Sequence, residues 1–284
     1  MSDSLIRAAV IGDPVAHSLS PRMHGYWITQ AGVSGSYTSL HVSEEDFASV
    51  VRLLPKMGFT GVNVTLPHKE QAARIADVRE PLVERIGAAN SLTFQADGSI
   101  AAANTDAVGF TGILKATLVS RIITKGAALI LGAGGAAKAA AAGLINDGWG
   151  RIIAINRTPA KAEALARSFP ASIVEPASWA ELPTLTPQAD LIVNATSLGM
   201  RGKPDLEISL RDAKPSAVAA DIVYTPLETR FLAEARHQGL AVVDGLGMLI
   251  HQGAPCFRAW FGAEPVIDET LRAMLVAELG ERGR

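Results

Sequence analysis

The chain has 284 residues, 48% of them hydrophobic and 19% charged, with a formal net charge of -2 at neutral pH. That balance gives no general attraction to nucleic acid or to an anionic membrane, so an anionic ligand has to be captured by local groups. The lone cysteine, Cys256, excludes an intrachain disulfide and reads as a small buried apolar residue. Near the N-terminus the only apolar run is Ala8-Ala9-Val10-Ile11, shorter than the roughly 7–15 apolar residues of a signal segment. No stretch reaches the ~18 uninterrupted apolar residues of a membrane span, and a cytoplasmic protein is expected.

Taken in order, 6–12 is predicted as a strand and 21–31 as a helix with proline in its first turn. A second strand is predicted over 37–42. Ser43 then opens a capping box with Asp46, and Phe47, Val50, Val51 and Leu54 recur on one helical face. Strands over 59–64, 89–94 and 100–104 follow, the last two joined by the hairpin signal Ala96-Asp97-Gly98. Strands separated by helices imply a mainly parallel, mixed open sheet with an antiparallel ribbon at its edge.

A second α/β unit begins near Asp106. Apolar strands are predicted over 127–131, 151–155, 191–195, 218–223 and 241–244. The pattern then turns helical over 248–260 and 267–279. The expected division is a first domain over 1–106 and a dinucleotide-binding domain of Rossmann type over 107–244, with the helices of 245–284 able to pack on either.

Gly132-x-Gly134-x-x-Ala137 lies between an apolar strand and an Ala-rich helix, the context that gives this fingerprint meaning. Gly132 permits the tight turn, Gly134 lets backbone amides approach a pyrophosphate, and Ala137 keeps the helix close to the sheet. The helix N-terminus supplies unpaired donors and partial positive charge for the phosphates. About 20 residues on, a site for NAD would carry a carboxylate for the ribose hydroxyls. Here the next strand ends in Asn156-Arg157-Thr158, followed by Lys161. Arg157 can stack on adenine or bond a 2′-phosphate and Lys161 adds charge, so NADP is the expected cofactor.

Four polar clusters stand at loop ends of the first domain, where ligand sites of open α/β sheets lie. They are Ser18-Leu19-Ser20-Pro21, Asn63-Val64-Thr65-Leu66-Pro67-His68-Lys69, Ala88-Ala89-Asn90-Ser91 and Asn104-Thr105-Asp106. Each alone is compatible with ordinary capping and turn chemistry. In this order, with the fingerprint, they make the chain resemble the shikimate dehydrogenase family over essentially its whole length. The resemblance continues in Asn194-Ala-Thr196-Ser197-x-Gly199-Met200, Asp221-x-Val223-Tyr224-x-Pro226 and Gly245-x-Gly247-Met248-Leu249-x-x-Gln252.

That resemblance implies reversible, NADP-dependent reduction of 3-dehydroshikimate to shikimate, on the route to chorismate and the aromatic amino acids. It implies that Lys69 and Asp106 form the catalytic pair. Ser18 and Ser20 would bond the substrate carboxylate, with Tyr224 on the same side, and Thr65, Asn90, Asp106 and Gln252 would meet the ring. Gly132, Gly134, Gly135 and Ala136 would contact the pyrophosphate, and Asn156, Arg157 and Thr158, with Lys161, the adenosine end. Thr196, Met200, Gly245 and Met248 would complete the cofactor site, the last three near the nicotinamide. It also implies that the closing helices pack back on the N-terminal domain. Ser91 and Lys161 depart from the commoner Thr and Arg at those positions.

The residue types suit the reaction. Reducing a ring ketone needs a hydride, carried by the cofactor, and a proton delivered to the new alkoxide. An ammonium at Lys69 can give that proton and stabilise the developing negative oxygen, while Asp106 can orient either partner. No metal is expected: the six histidines form no paired ligand pattern. His68, at a helix start, is expected to face solvent, and Trp27, Trp149, Trp179 and Trp260 to pack. The partner expected is a small molecule, the oligomer a monomer or homodimer. A quinate or dual quinate/shikimate dehydrogenase, NAD-linked in some relatives, shares most of these motifs. A non-catalytic NADP-binding sensor has no need of the Lys69 and Asp106 pair.

Overall fold

The computed structural model describes residues 5–119 and 124–281. The chain divides into two compact units, one running to Thr105 and resuming at Gln252, the other spanning Asp106–His251. The sequence reading drew these divisions after Asp106 and before Gly245.

The first unit opens with β1 (Ile6–Gly12), α1 (Ser20–Ala31), β2 (Gly35–His41), α2 (Phe47–Leu53) and β3 (Phe59–Val64). It continues through α3 (Lys69–Ile75), β4 (Val78–Arg79), α4 (Pro81–Ile86), β5 (Ser91–Phe94) and β6 (Ile100–Ala103). Its sheet runs β2-β1-β3-β5-β6-β4. β1 is parallel to both neighbours, and β5 is antiparallel to β3 and β6. The ribbon expected at the edge is covered there by β4, which pairs parallel to β6. Two residues carry no readable period, so sequence pattern could not announce that strand. Ser43 does accept the amide of Asp46 at 3.2 Å, but Asp46 answers through the Ser43 hydroxyl and α2 begins only at Phe47. The predicted face of α2 holds in part: Phe47, Val51 and Leu54 are buried with Val62, Val64 and Leu92 in one apolar cluster.

The second unit contains α5 (Asp106–Thr117), β7 (Ala127–Leu131), α6 (Gly135–Asn146), β8 (Arg151–Asn156), α7 (Pro159–Ala166) and β9 (Val174–Ser178). After them come α8 (Leu182–Leu185), β10 (Leu191–Asn194), β11 (Val218–Asp221), α9 (Arg230–His237) and β12 (Ala241–Val243). Six parallel strands are ordered β12-β11-β10-β7-β8-β9. Numbered within this unit the order is 3-2-1-4-5-6, the doubly wound dinucleotide-binding arrangement with its switch point between β7 and β10. β9 went unread because Pro176 interrupts it; an edge strand tolerates the missing amide. Every residue of β7, β10 and β11 is buried, as expected for strands covered on both faces.

Two helices close the chain, α10 (Gly245–Phe261) and α11 (Glu269–Glu281), and the division between units falls within α10, after His251. The part of α10 beyond it packs on the first unit's sheet. A Cβ at Gly61 would lie 2.2 Å from Trp260 Nε1, which donates to Thr93 Oγ1 at 2.9 Å. Only a residue without a side chain lets the indole settle on β3. Among the described residues no helix is long and apolar enough to cross a membrane.

At the C-terminal ends of β10 and β11 a polar network replaces the apolar packing. Asn194, fully buried, donates through Nδ2 to Asp221 Oδ1 at 3.0 Å. Asp221 also accepts from the Val223 amide at 2.9 Å and from Thr229 Oγ1 at 2.7 Å. Burial is the largest influence on the Asp221 carboxyl and outweighs these donors, raising it from the ordinary 3.8 to about 6. A raised carboxylic pKa means the folded protein keeps a proton that the unfolded chain releases. This group's contribution to stability is therefore full below pH 3.8 and is lost as pH climbs to about 6. The shift corresponds to about 3 kcal/mol. Asp221→Asn removes this titration, so its stability relative to the parent should rise by about 3 kcal/mol between about pH 4 and pH 7. Urea unfolding of both proteins across that range checks it; a pH-independent difference contradicts it.

Candidate active site

The strand register of the first unit gathers its polar segments along one edge. Ile11 pairs with Val64, Asn63 with Ser91, and Ser91 with Ala103. The chain therefore leaves β1, β3 and β6, and enters β5, at the same edge. Ser18 and Ser20, Thr65, Thr105 and Asn90 occupy those crossings. Ligand crevices form at such edges of open α/β sheets.

These side chains are held by one another. Asn90, buried, accepts the Thr105 amide at 2.7 Å through Oδ1. Its Nδ2 lies 3.0 Å from Thr105 Oγ1 and donates to Gln252 Oε1 at 3.1 Å. Gln252, on the part of α10 that belongs to this unit, thus turns its carbonyl oxygen inward. Asn63 links further back: its Oδ1 accepts the Tyr37 hydroxyl at 2.7 Å, and its Nδ2 donates to Asn90 O and Cys256 Sγ, each at 3.2 Å. Burial of this many amides is stable because each is bonded, and the bonds fix which atom each presents. At the other end of the edge, the Ser18 hydroxyl accepts the Ser20 amide at 3.2 Å where α1 begins. A Cβ at Gly12 would lie 2.5 Å from Thr65 Cγ2, so glycine there admits the loop that carries Thr65.

Lys69 is the first residue of α3 and half-buried; its carbonyl accepts the Ala89 amide at 2.8 Å, tying the helix start to the Asn90 segment. Arg79 bonds the carbonyls of Ala73, Arg74 and Ala76 at the other end of that helix. Asp106 is the first residue of α5 and is buried, and Tyr224 is half-buried in the segment after β11. His68 corrects the sequence reading. Instead of facing solvent it is 1% exposed, stacks on Phe47 at 4.6 Å, and bonds Val42 O through Nε2 at 2.7 Å. A carbonyl can only accept, so Nε2 carries the hydrogen. The ring anchors the helix start to the segment after β2.

In the second unit Gly132 follows β7 with φ +117°, and its amide bonds Ile155 O at 2.8 Å. A Cβ there would come 2.6 Å from Ala195 O, so the two strand ends at the switch point approach to a distance only glycine allows. Gly134 precedes α6 in extended backbone with nothing within 4 Å of a Cβ, leaving its surroundings open to a ligand. The N-cap of α6 is Gly134, which has no side chain to bond the first-turn amides of Gly135, Ala136 and Ala137. These features fit a dinucleotide pyrophosphate. Asn156 Nδ2 bonds Thr158 O at 3.1 Å, and Arg157, Thr158 and Lys161 are exposed after β8, with no carboxylate between Asn156 and Lys161. Thr196 and Met200 are half-buried after β10, while Gly245 and Met248 are buried at the start of α10. A Cβ at Gly245 would lie 2.4 Å from Ile222 O. Among the described residues no three His, Cys, Asp or Glu side chains are grouped to hold a metal ion.

Sequence reasoning assigned no role to Tyr37, Asn63, Asn194, Asp221 or Thr229, which hold the assigned residues in place. The available signal was a polar residue inside or ending an otherwise apolar strand. His24 is similar: fully buried, stacked on Tyr37 at 3.9 Å, and held neutral by burial, which lowers its pKa to about 3.

Three family models match the chain: the shikimate dehydrogenase substrate binding domain over residues 10–92, shikimate / quinate 5-dehydrogenase over 116–223, and the shikimate 5′-dehydrogenase C-terminal domain over 245–275. A shikimate dehydrogenase (NADP(+)) of Jannaschia sp. is 47% identical over 97% of this chain and 99% of its own. The Thermus thermophilus shikimate 5-dehydrogenase, solved with NADP(H) and shikimate, is 38% identical with a TM-score of 0.84 over 96% of this chain and 99% of its own. The quinate dehydrogenase of Corynebacterium glutamicum, solved with NAD, has a TM-score of 0.87 at 26% identity over 95% and 98% of the two chains. With both units matched and no long segment left over, the chain belongs to the shikimate dehydrogenase family.

Proposed function

We propose that this protein is an NADP-dependent shikimate dehydrogenase, reducing 3-dehydroshikimate reversibly to shikimate in the cytoplasm on the route to chorismate. What carries the reading is the buried shell of Asn90, Thr105 and Gln252 at the edge of the first unit's sheet. Neutral, mutually oriented amides and hydroxyls suit a polyhydroxylated ring, and a site built to bond a hydroxyl rejects a ligand that lacks it. The 47% identity to an NADP-linked relative supports the same conclusion.

In this reading Ser18 and Ser20 bond the substrate carboxylate with Tyr224 nearby, and Thr65, Asn90 and Gln252 bond the ring hydroxyls. Bound NADPH supplies the hydride. Lys69 stabilises the negative charge that grows on the ketone oxygen and delivers the proton that turns it into a hydroxyl. Asp106 accepts a hydrogen bond from that hydroxyl or from Lys69 and fixes the geometry between them. In the oxidative direction Lys69 takes the proton back. Backbone amides of Gly132, Gly134, Gly135 and Ala136 hold the pyrophosphate. Asn156 and Thr158 frame the adenosine, and Arg157 and Lys161 receive the 2′-phosphate, a group that a carboxylate at that position would repel. Thr196, Met200, Gly245 and Met248 line the nicotinamide side.

Initial rates with shikimate and quinate, each with NADP+ and NAD+, test the assignment. The expected result is that shikimate with NADP+ has the highest kcat/KM of the four. A maximum with quinate or with NAD+ overturns the substrate or the cofactor half of the reading, and no cofactor reduction in any pairing overturns the enzyme. Lys69→Ala should lower kcat by about 10²–10⁴, the usual worth of a general acid/base. A near-normal kcat with only a raised KM makes Lys69 a binding residue.

A further inference from the structure

We propose that Asp221 is a positioning residue for the nicotinamide end of the cofactor, holding the loop over 195–200 in the shape that receives it. The proposal rests on the reading that the second unit binds NADP at Gly132–Ala136.

The loop over 195–200 follows β10, beside the phosphate turn, and its first residue forms part of that turn's wall through the contact of Gly132 with Ala195. Its shape is dictated by one amide. Asn194 accepts the Thr196 amide at 3.1 Å and the Thr196 hydroxyl at 2.7 Å through Oδ1, and donates through Nδ2 to Leu198 O at 3.0 Å. Thr196 Oγ1 in turn accepts the Leu198 amide at 3.0 Å. All these bonds require Asn194 to keep its oxygen toward Thr196 and its nitrogen toward Asp221. An asparagine side chain is nearly symmetric in shape, so packing alone does not choose between the two orientations.

Within the loop the Thr196 amide and Leu198 O match that orientation, and Asp221 imposes it from outside the loop. Its Oδ1 accepts the Val223 amide and lies 3.0 Å from Asn194, a position that demands a donor. A flipped Asn194 would set oxygen against oxygen there, in a buried place where unpaired groups are costly. The far end of the loop is seated by the same carboxylate. Thr229, bonded to Asp221 Oδ2, forms the surface on which Gly199 rests, a Cβ at Gly199 being 3.3 Å from Thr229 Cβ. Gly199 has φ +85°, a conformation suited to glycine, which closes the turn against that surface. One buried side chain thus anchors both ends of the loop without belonging to it.

The test uses the full chain and two probes, NADP+ and 2′,5′-ADP, the second lacking the nicotinamide half. In equilibrium binding, Asp221→Ala should weaken NADP+ about tenfold and leave 2′,5′-ADP within about twofold, since one lost charged or buried hydrogen bond is worth about that factor. Asp221→Asn keeps an acceptor for Asn194 and a partner for Thr229, and should restore NADP+ binding to within about threefold of the parent. If Asp221→Ala does not fold, Thr229→Val keeps the carbon atoms against Gly199 but removes the hydroxyl that ties them to Asp221, and should weaken NADP+ about threefold, again sparing 2′,5′-ADP. A merely structural role would lower thermal stability without separating the two probes. Equal weakening of both, no weakening of NADP+, or no rescue by asparagine overturns the assignment alone. A parent protein that binds neither probe overturns it together with the cofactor reading beneath it.

Discussion

A pyrophosphate carries charge that neutral backbone can hold only where amide hydrogens converge and no side chain stands in front of them. That constraint organises the second unit. The strand order places its switch point between β7 and β10, the Gly132 turn brings the two strand ends to within a backbone's width, and α6 begins there behind Gly134, which has no side chain to cap it. Helix dipole and unpaired amides act together at such a terminus. With a net charge of -2 the molecule as a whole offers an anion no attraction, so in the proposed reading this local arrangement, with Arg157 and Lys161 at the end of β8, supplies it.

The first unit solves a different problem with a different device. A polyhydroxylated ring needs neutral donors and acceptors in fixed directions, and amides on mobile loops would pay the entropy of ordering at each binding event. Here Asn90, Thr105, Gln252 and Asn63 order one another beforehand, beneath an edge where four chain segments meet. His68 and Arg79 fix the two ends of α3, the helix that starts at Lys69. The aromatic packing of Trp260 over Gly61 holds the later part of α10, and with it Gln252, on the sheet. In both units the residues that touch nothing but their neighbours decide what the proposed binding residues can offer.

Much of this was legible from residue order. Hydrophobic runs marked most strands of both sheets, the glycine fingerprint marked the switch point, and loop-end polar clusters marked the edge of the first sheet. What escaped had physical causes. β4 is too short to show a period, and β9 contains Pro176, which the pattern counts against a strand although an edge position excuses it. His68 was misread because a helix-start histidine commonly faces water, whereas the segment after β2 here supplies both an aromatic ring and a carbonyl for it. The supporting polar residues Asn63, Asn194 and Asp221 could not be ranked above ordinary strand-end polars until their partners, far away in sequence, were brought beside them by the sheets.

In the proposed reading the cofactor's phosphates sit in the open space in front of Gly134. Gly134 has extended backbone that any residue adopts, and a side chain there meets nothing in the protein. Gly134→Val should therefore change folding stability by no more than about 1 kcal/mol, the range of helix-cap effects, while occupying the space a phosphate needs. The direct measurement is NADP+ binding by calorimetry to this variant alongside its thermal melt. A loss of NADP+ affinity of at least about 100-fold is expected in a variant that melts like the parent; parental affinity in the valine variant would mean that the phosphates bind elsewhere.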